Sequence, residues 1–470
     1  MEQMIIPRTR RSDPNHRHRN LVLLGLSTFA LFHFPSQAAN WPQWRGPYGT
    51  GIGDAIDLPT TWGPNENILW KTELPSWSGS SPIVLADRVF VVSPSRHKEA
   101  GDEKQDLGSE QHRERGRGRS RAASSDPGGP EILIFCISRI DGSVFWQRRL
   151  DSGNQLRLKH NSTSPSPVTD GNAVWSTTGN GVIVALDMDG DEIWRLDLQK
   201  KFGKFGMGFG YASSPLLHEG KLFYQVLHGR HTDDPSYIVS IDAPTGQILW
   251  KRDRPTDARS ESPDAYTTPA LLTHEGKDQI VISGADYVTG HDPRTGEECW
   301  RSAGLNPRKA ANYRIVPSPI VVGGMIYAPT RKIPLLALRP GGTGDITHSH
   351  LVWKWDQDGA PDVPTPVCDG KYFYMADDQG HVTCLDAKKG TVIWGPKETG
   401  IGSVSASPLL VDDQLYVVGE SGETAVVQVG PAFKVIAKNT LDGGYTLSSP
   451  AAAGKHLFIR TARYLYCIGK

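Results

Sequence analysis

Apolar residues in this chain come in short blocks separated by polar turns. Val89-Phe90-Val91-Val92, Ile132-Leu133-Ile134-Phe135, Leu222-Phe223-Tyr224 and Tyr372-Phe373-Tyr374 are examples. Such runs are too short for helices and rich in Val, Ile and Tyr. Turns such as Asp170-Gly171, Glu219-Gly220 and Asp369-Gly370 bound them, so they predict β-strands. The blocks repeat as a unit that opens with a Ser- or Thr-rich step, a proline and two or three apolar residues. The prolines are Pro82, Pro167, Pro215, Pro269, Pro319, Pro366, Pro408 and Pro450, spaced 42 to 54 residues apart from Pro167 onward. A later strand ends in Leu or Ile followed by Asp, as in Ala185-Leu186-Asp187, Ser240-Ile241-Asp242 and Cys384-Leu385-Asp386. A turn then closes on glycine, with tryptophan four residues on: Gly142/Trp146, Gly190/Trp194, Gly246/Trp250, Gly296/Trp300 and Gly390/Trp394. Trp353 marks the same place in the fifth unit, behind an insertion.

Repetition at this period predicts a ring of small sheets. Four strands per unit make one antiparallel blade, apolar on both faces and open at both edges. Stacking blades radially buries the faces, and closing the ring protects the edges. The eighth unit stops after Tyr464-Leu465-Tyr466-Cys467-Ile468, one strand short, and a matching strand with its tryptophan stands at Asn67-Ile68-Leu69-Trp70-Lys71. The expectation is an all-β, eight-bladed β-propeller of four-stranded antiparallel blades, closed by an N-terminal strand, as one domain over residues 39–470. The pattern of a small residue, Leu or Ile, Asp, a Thr-Gly or Asp-Gly turn and Trp resembles the quinoprotein, or pyrroloquinoline-quinone-like, propeller repeat. It is clearest over Ser240–Trp250, Gly290–Trp300 and Cys384–Trp394. The resemblance implies that Trp70, Trp146, Trp194, Trp250, Trp300, Trp353 and Trp394 are structural, each docking on the next blade. The seventh unit departs from it, with Val435-Ile436 in place of tryptophan.

Charge and cysteine content narrow the setting. Arg8, Arg10, Arg11, Arg17 and Arg19 precede an apolar stretch from Leu21 to Phe34, and Ser36-Gln37-Ala38 offers small residues for cleavage. Residues 1–38 therefore predict an export signal, with Arg10-Arg11 admitting a twin-arginine route. That stretch is 14 residues long, short for a membrane span. The expected location is periplasmic or secreted, as a monomer without a transmembrane anchor after cleavage. The whole chain is formally neutral, and removal of that segment leaves 46 basic against 49 acidic residues, which gives no cause to expect a nucleic-acid partner. Of five cysteines, Cys136, Cys384 and Cys467 fill the slot held by Ala185, Ser240 and Ala337 in sister units. They read as small apolar side chains, not disulfide partners. No Cys-x-x-Cys occurs, and no metal site is expected.

Residues 95–130 interrupt the first unit. Glu99, Asp102, Glu103, Asp106 and Glu110 give way to Arg113, Arg115, Arg117, Arg119 and Arg121. With no apolar periodicity, this insert predicts a disordered loop. Gly203, Gly206, Gly208 and Gly210 lack the strand-then-helix context of a nucleotide site and predict a mobile loop before the third unit's inner strand.

No zinc-protease, P-loop or nucleophile-elbow signature is present, and no catalytic residue is assigned. The proline-bearing strands are expected innermost, which puts the residues ahead of them at one mouth of the axial channel. Trp77, His160, Asn161, Tyr211, Tyr266, Tyr313, Arg314, Asp362 and Tyr445 form that candidate set. Converging aromatic and polar groups suit a ligand site, and equally suit a mouth filled by its own side chains. Three functions stay open, in this order. The first is an exported, non-catalytic propeller without cofactor that binds a protein, carbohydrate or small molecule. The family resemblance includes such members, among them the lipoprotein that helps assemble outer-membrane barrels. The second is a pyrroloquinoline-quinone dehydrogenase acting with Ca2+ on alcohols or sugars. Against it, the adjacent cysteine pair of the alcohol-oxidising relatives is missing. The third is a glycan-processing enzyme using opposed carboxylates among Glu261, Asp264 and Asp362.

Overall fold

A computed structural model describes residues 40–97, 126–442 and 444–470. The expected export signal lies outside these residues, as does all of the expected disordered insert except 95–97 and 126–130. Eight small sheets follow one another, over 83–152, 168–197, 216–253, 270–302, 320–355, 367–398, 409–439 and 451–468. They form an eight-bladed β-propeller. Ile68–Glu73 pairs antiparallel with Tyr464–Ile468 and supplies the fourth strand of the eighth sheet.

The repeat motifs acquire physical reasons from the register. The small residue of each unit lies directly across from the tryptophan: Cys136 from Trp146, Ala185 from Trp194, Ser240 from Trp250, Ala337 from Trp353, Cys384 from Trp394 and Cys467 from Trp70. A larger side chain there would meet the indole. All five cysteines are free, and four are buried. The indole N–H reaches the next blade, from Trp70 to Arg139 O, Trp146 to Met188 O, Trp194 to Ala243 O, Trp250 to Pro293 O, Trp353 to Ala387 O and Trp394 to Gly430 O, at 2.8–3.1 Å. The motif glycines pack under the preceding blade's ring. A Cβ on Gly190 would stand 2.8 Å from Trp146, and one on Gly390 2.6 Å from Trp353.

Trp300 departs from the expected docking on the next blade. It faces Gly290, where a Cβ would come within 2.2 Å of the ring, so the indole sinks onto its own sheet and donates to Gln279 Oε1 at 2.8 Å. A parallel strand from the fifth unit's insertion, Gly344–Asp345, covers that blade's outer edge. In the seventh blade, Val426 lies across from Ala437, and Trp62 from the N-terminal segment stacks on Tyr416 at 6.3 Å, in the same core cluster.

The Ser/Thr-Pro step is a blade-to-blade clasp. The backbone N–H of Ser81 donates to Ser166 Oγ, that of Ser166 to Ser214 Oγ, and that of Ser214 to Thr268 Oγ1. The series continues through Ser318, Thr365, Ser407 and Ser449, whose N–H returns to Ser81 Oγ at 3.1 Å. Eight hydrogen bonds of 2.8–3.1 Å thus form a closed belt around the axis. Proline next in sequence fixes φ just past the clasp and starts the inner strand without an N–H.

Candidate functional site

The axis holds a cavity of about 680 Å3. Seven belt residues, Ser166, Ser214, Thr268, Ser318, Thr365, Ser407 and Ser449, form its wall. Its floor comes from the N-terminal segment. Pro42 O accepts from Thr169 N–H of the second blade, while Arg45 Nη1 donates to Thr365 O in the sixth, at 3.1 Å. Blades two and six face each other across an eight-membered ring, so this short stretch crosses the axis, and Trp44 between the two anchors lines the cavity. Arg45 is fully buried among the carbonyls of Thr50, Thr365 and Pro366, and burial lowers its pKa to about 9.

Of the nine residues expected at the mouth, His160, Tyr266 and Arg314 line the cavity. Tyr266 sits next to Phe209, its hydroxyl accepting from Phe209 N–H at 3.1 Å and its ring 6.1 Å away. The His160 ring meets Tyr266 edge-on at 6.3 Å, and desolvation lowers its pKa to about 4, so it is neutral near pH 7. Arg314 lies over Phe209, 5.1 Å from the ring centre. It makes no hydrogen bond to a described residue. Its nearest carboxylate oxygens, on Asp362 and Glu261, stand 3.6 and 3.9 Å away. A guanidinium that lines a cavity in two long ion pairs, without a hydrogen bond to a described residue, keeps donors for an incoming carboxylate.

The other six are not among the lining residues. Asn161 is fully buried; its amide donates to Trp77 O and Pro127 O and its Oδ1 accepts from Thr163. Trp77 donates to Asp126 O at 2.7 Å and packs edge-on against Tyr445 at 5.6 Å. Tyr211 is buried with its hydroxyl on Gln225 O, and Tyr313 bonds Thr330 and Ile333. Asp362 stands between Arg314 and Arg331. The three carboxylates weighed for glycan chemistry are engaged elsewhere: Asp264 accepts the N–H groups of Gly208, Gly229 and Arg230, and Glu261 faces Arg230 and Arg314.

Sequence reasoning missed Trp44, Arg157, Lys159, Phe209, Asp378 and Gln379, all of which line the cavity. Phe209 arrives on the glycine-rich loop, which is pinned where a mobile loop was expected. Gly206 N–H donates to His228 Nδ1, Gly208 N–H to Asp264 and Phe209 N–H to Tyr266 Oη. Asp378 accepts from Val363 N–H, and burial, with the charge of Asp362 second, raises its pKa to about 6. Arg157 and Lys159 come from a two-stranded hairpin, Leu156–Arg157 with His160–Asn161, that belongs to no blade.

The family profile described as outer membrane protein assembly factor BamB matches residues 131–396. The BamB of Yersinia pestis is 22% identical over 334 residues, covering 63% of this chain and 81% of that protein. A quinohemoprotein alcohol dehydrogenase of Pseudomonas putida is 33% identical over 145 residues, which are 29% of this chain and 19% of the enzyme. Among solved structures, BamB from Moraxella catarrhalis superposes with a TM-score of 0.51 at 14% identity, over 72% of this chain and 91% of that one. A europium-containing methanol dehydrogenase gives 0.63 at 12% identity, over 91% of each chain. At these identities the structural likeness speaks for the fold alone.

Proposed function

Because this chain belongs to the family of the outer membrane protein assembly factor BamB, we propose that it is an exported, non-catalytic propeller that holds an extended polypeptide at its axial mouth. The observation that carries this reading is Arg314, lining the cavity beside Phe209 and Tyr266 without a hydrogen bond to a described residue. Phe209, Tyr266 and Trp44 offer stacking faces for apolar or aromatic side chains. Arg314 offers a fork for a carboxylate, and the belt hydroxyls offer polar groups for a backbone. The likeness of the relatives' name to an assembly role suggests an unfolded outer-membrane protein as the probe. A urea-denatured β-barrel protein diluted into buffer is expected to bind the mature chain, with affinity falling about tenfold in Arg314→Ala and in Tyr266→Ala, a loss usual for truncating an interface anchor. Unchanged affinity in both variants would move the site away from the mouth.

The stretch shared with the quinohemoprotein dehydrogenase favours a second reading, a quinone enzyme. Arg157, Lys159 and Arg314 would suit the quinone carboxylates. The accompanying Ca2+ fits poorly, because it takes six to eight oxygen ligands, and Asp378 is the one carboxylate among the lining residues. Dye-linked oxidation of alcohols or sugars after reconstitution with pyrroloquinoline quinone and Ca2+, abolished by Asp378→Asn, would favour the enzyme over the binding protein.

A further inference from the structure

The hairpin 156–161 stands apart from the eight blades. Its root is fixed: Asn154 Nδ2 donates to Pro127 O and Gly129 O at 2.7 and 3.1 Å, Ser162 N–H donates to Asn154 Oδ1, and Asn161 is buried with its amide fully engaged. Its tip is not. Two residues per strand are paired, Leu156 with Asn161 and Arg157 with His160, and Leu158 turns the tip at φ 58° with 61% of its surface exposed. A two-stranded ribbon this short has little stability of its own. It nonetheless lines the cavity with Arg157, Leu158, Lys159 and His160.

The tip is held by contacts with distant blades. His160 touches Tyr266 ahead of the fourth blade. Lys159 Nζ donates to Glu420 Oε1 of the seventh blade at 2.7 Å, across 261 residues of sequence. The Glu420 side chain is 2% exposed, also accepts from Ser405 Oγ, and has no partner for Oε2 among the described residues. A carboxylate so placed loses its one cationic partner if the tip lifts, so it pulls the lysine down. The Lys159 stem is half exposed, leaving water a path to compete for the ammonium.

We propose that the hairpin 156–161 is a hinged strap at the mouth, rooted at Asn154 and Asn161 and latched down by Lys159 on Glu420, so that this one ion pair sets how wide the axial cavity stands open. This regulation rests on the reading of the mouth as a ligand site, but its test requires no ligand. Ala212 lines the cavity, is partly exposed with the hairpin in place and belongs to no belt bond. An Ala212→Cys variant made with Cys299→Ser carries one thiol that is not buried by the core, since the remaining four cysteines are buried. Its labelling by a soluble disulfide reagent reports how freely solvent reaches the cavity wall. Lys159→Met and Glu420→Gln are each expected to raise that rate about five- to tenfold, and to speed hydrogen exchange at 156–160 while leaving the blade strands unchanged. Labelling within twofold of the parent in both variants, or hairpin amides as protected as the inner strands in all three proteins, would overturn the strap. Strap opening without polypeptide binding would support the gate and refute the function it was assigned to serve, so the two can fail separately.

Discussion

At the scale of single residues, the fold is governed by how closely side chains meet across a register. The slot opposite each tryptophan admits Cys, Ala, Ser or Gly according to how deep the indole sinks, and at Trp300 it admits only glycine. Gly290→Ala is therefore expected to destabilise the protein by about 1–3 kcal/mol, the usual range for an overpacked core. The urea midpoint would reveal it, and an unchanged midpoint would mean that the ring slides at no cost. Asp378 gives a second test, in pH. Its folded pKa is raised from 3.8 to about 6, chiefly by burial. Below pH ~4 both folded and unfolded states carry the proton and the residue is neutral to stability. Between pH ~4 and 6 the unfolded chain releases it first, so folding takes up a proton and stability falls as pH rises; above pH ~6 the penalty is constant. Asp378→Asn, which keeps the acceptor for Val363 N–H, should raise the melting temperature by an amount that grows from pH 4 to 6 and is flat above 7. A difference that shrinks over that range would contradict the assigned shift.

At the scale of elements, each inner strand begins with a hydroxyl clasp and a proline. Removing one hydroxyl leaves the previous blade's buried N–H without an acceptor. Ser166→Ala, which strands the amide of Ser81, should cost about 1–3 kcal/mol. Ser166→Thr should leave stability close to the parent's, since threonine keeps the acceptor and sister position Thr268 already uses it. These elements also show what could be read in advance. Proline steps, Asp-Gly turns and Gly-to-Trp spacing are local patterns, so blades and their count were legible. The clasp partner of Ser166 lies 48 residues on, at Ser214, and nothing local announces it. The site divides in the same way. His160, Tyr266 and Arg314 stand just ahead of inner strands and were recognisable. Trp44, Phe209 and Lys159 enter from a terminal segment, a pinned loop and a stray hairpin, whose courses are set by tertiary contacts.

At the scale of the whole molecule, an early strand and the last three strands share one blade. Ile68–Glu73 lies beside Tyr464–Ile468, and the stretch ahead of it supplies Trp62 against Tyr416 and Trp44 at the cavity floor. Deleting residues 40–72 would bare the strand Tyr464–Ile468, empty the space beside Tyr416 and open the floor at once. The expected result is loss of a sharp thermal transition. A truncated chain that melts as cooperatively as its parent would show that the remaining blades hold the ring unaided.

The hydroxyl belt has one further consequence. All eight of its amides point the same way round the axis, each toward the next blade. Vectors laid head to tail around a closed polygon sum to nothing, so the tangential bond dipoles cancel and the waist of the cavity exerts no net pull along the axis. Whatever field a ligand feels on approach comes from the rim, from Arg157, Lys159 and Arg314 against Asp378. Capture of an acidic segment should then be fast at low ionic strength and slow as salt shortens the reach of those charges to about 8 Å near 0.15 M.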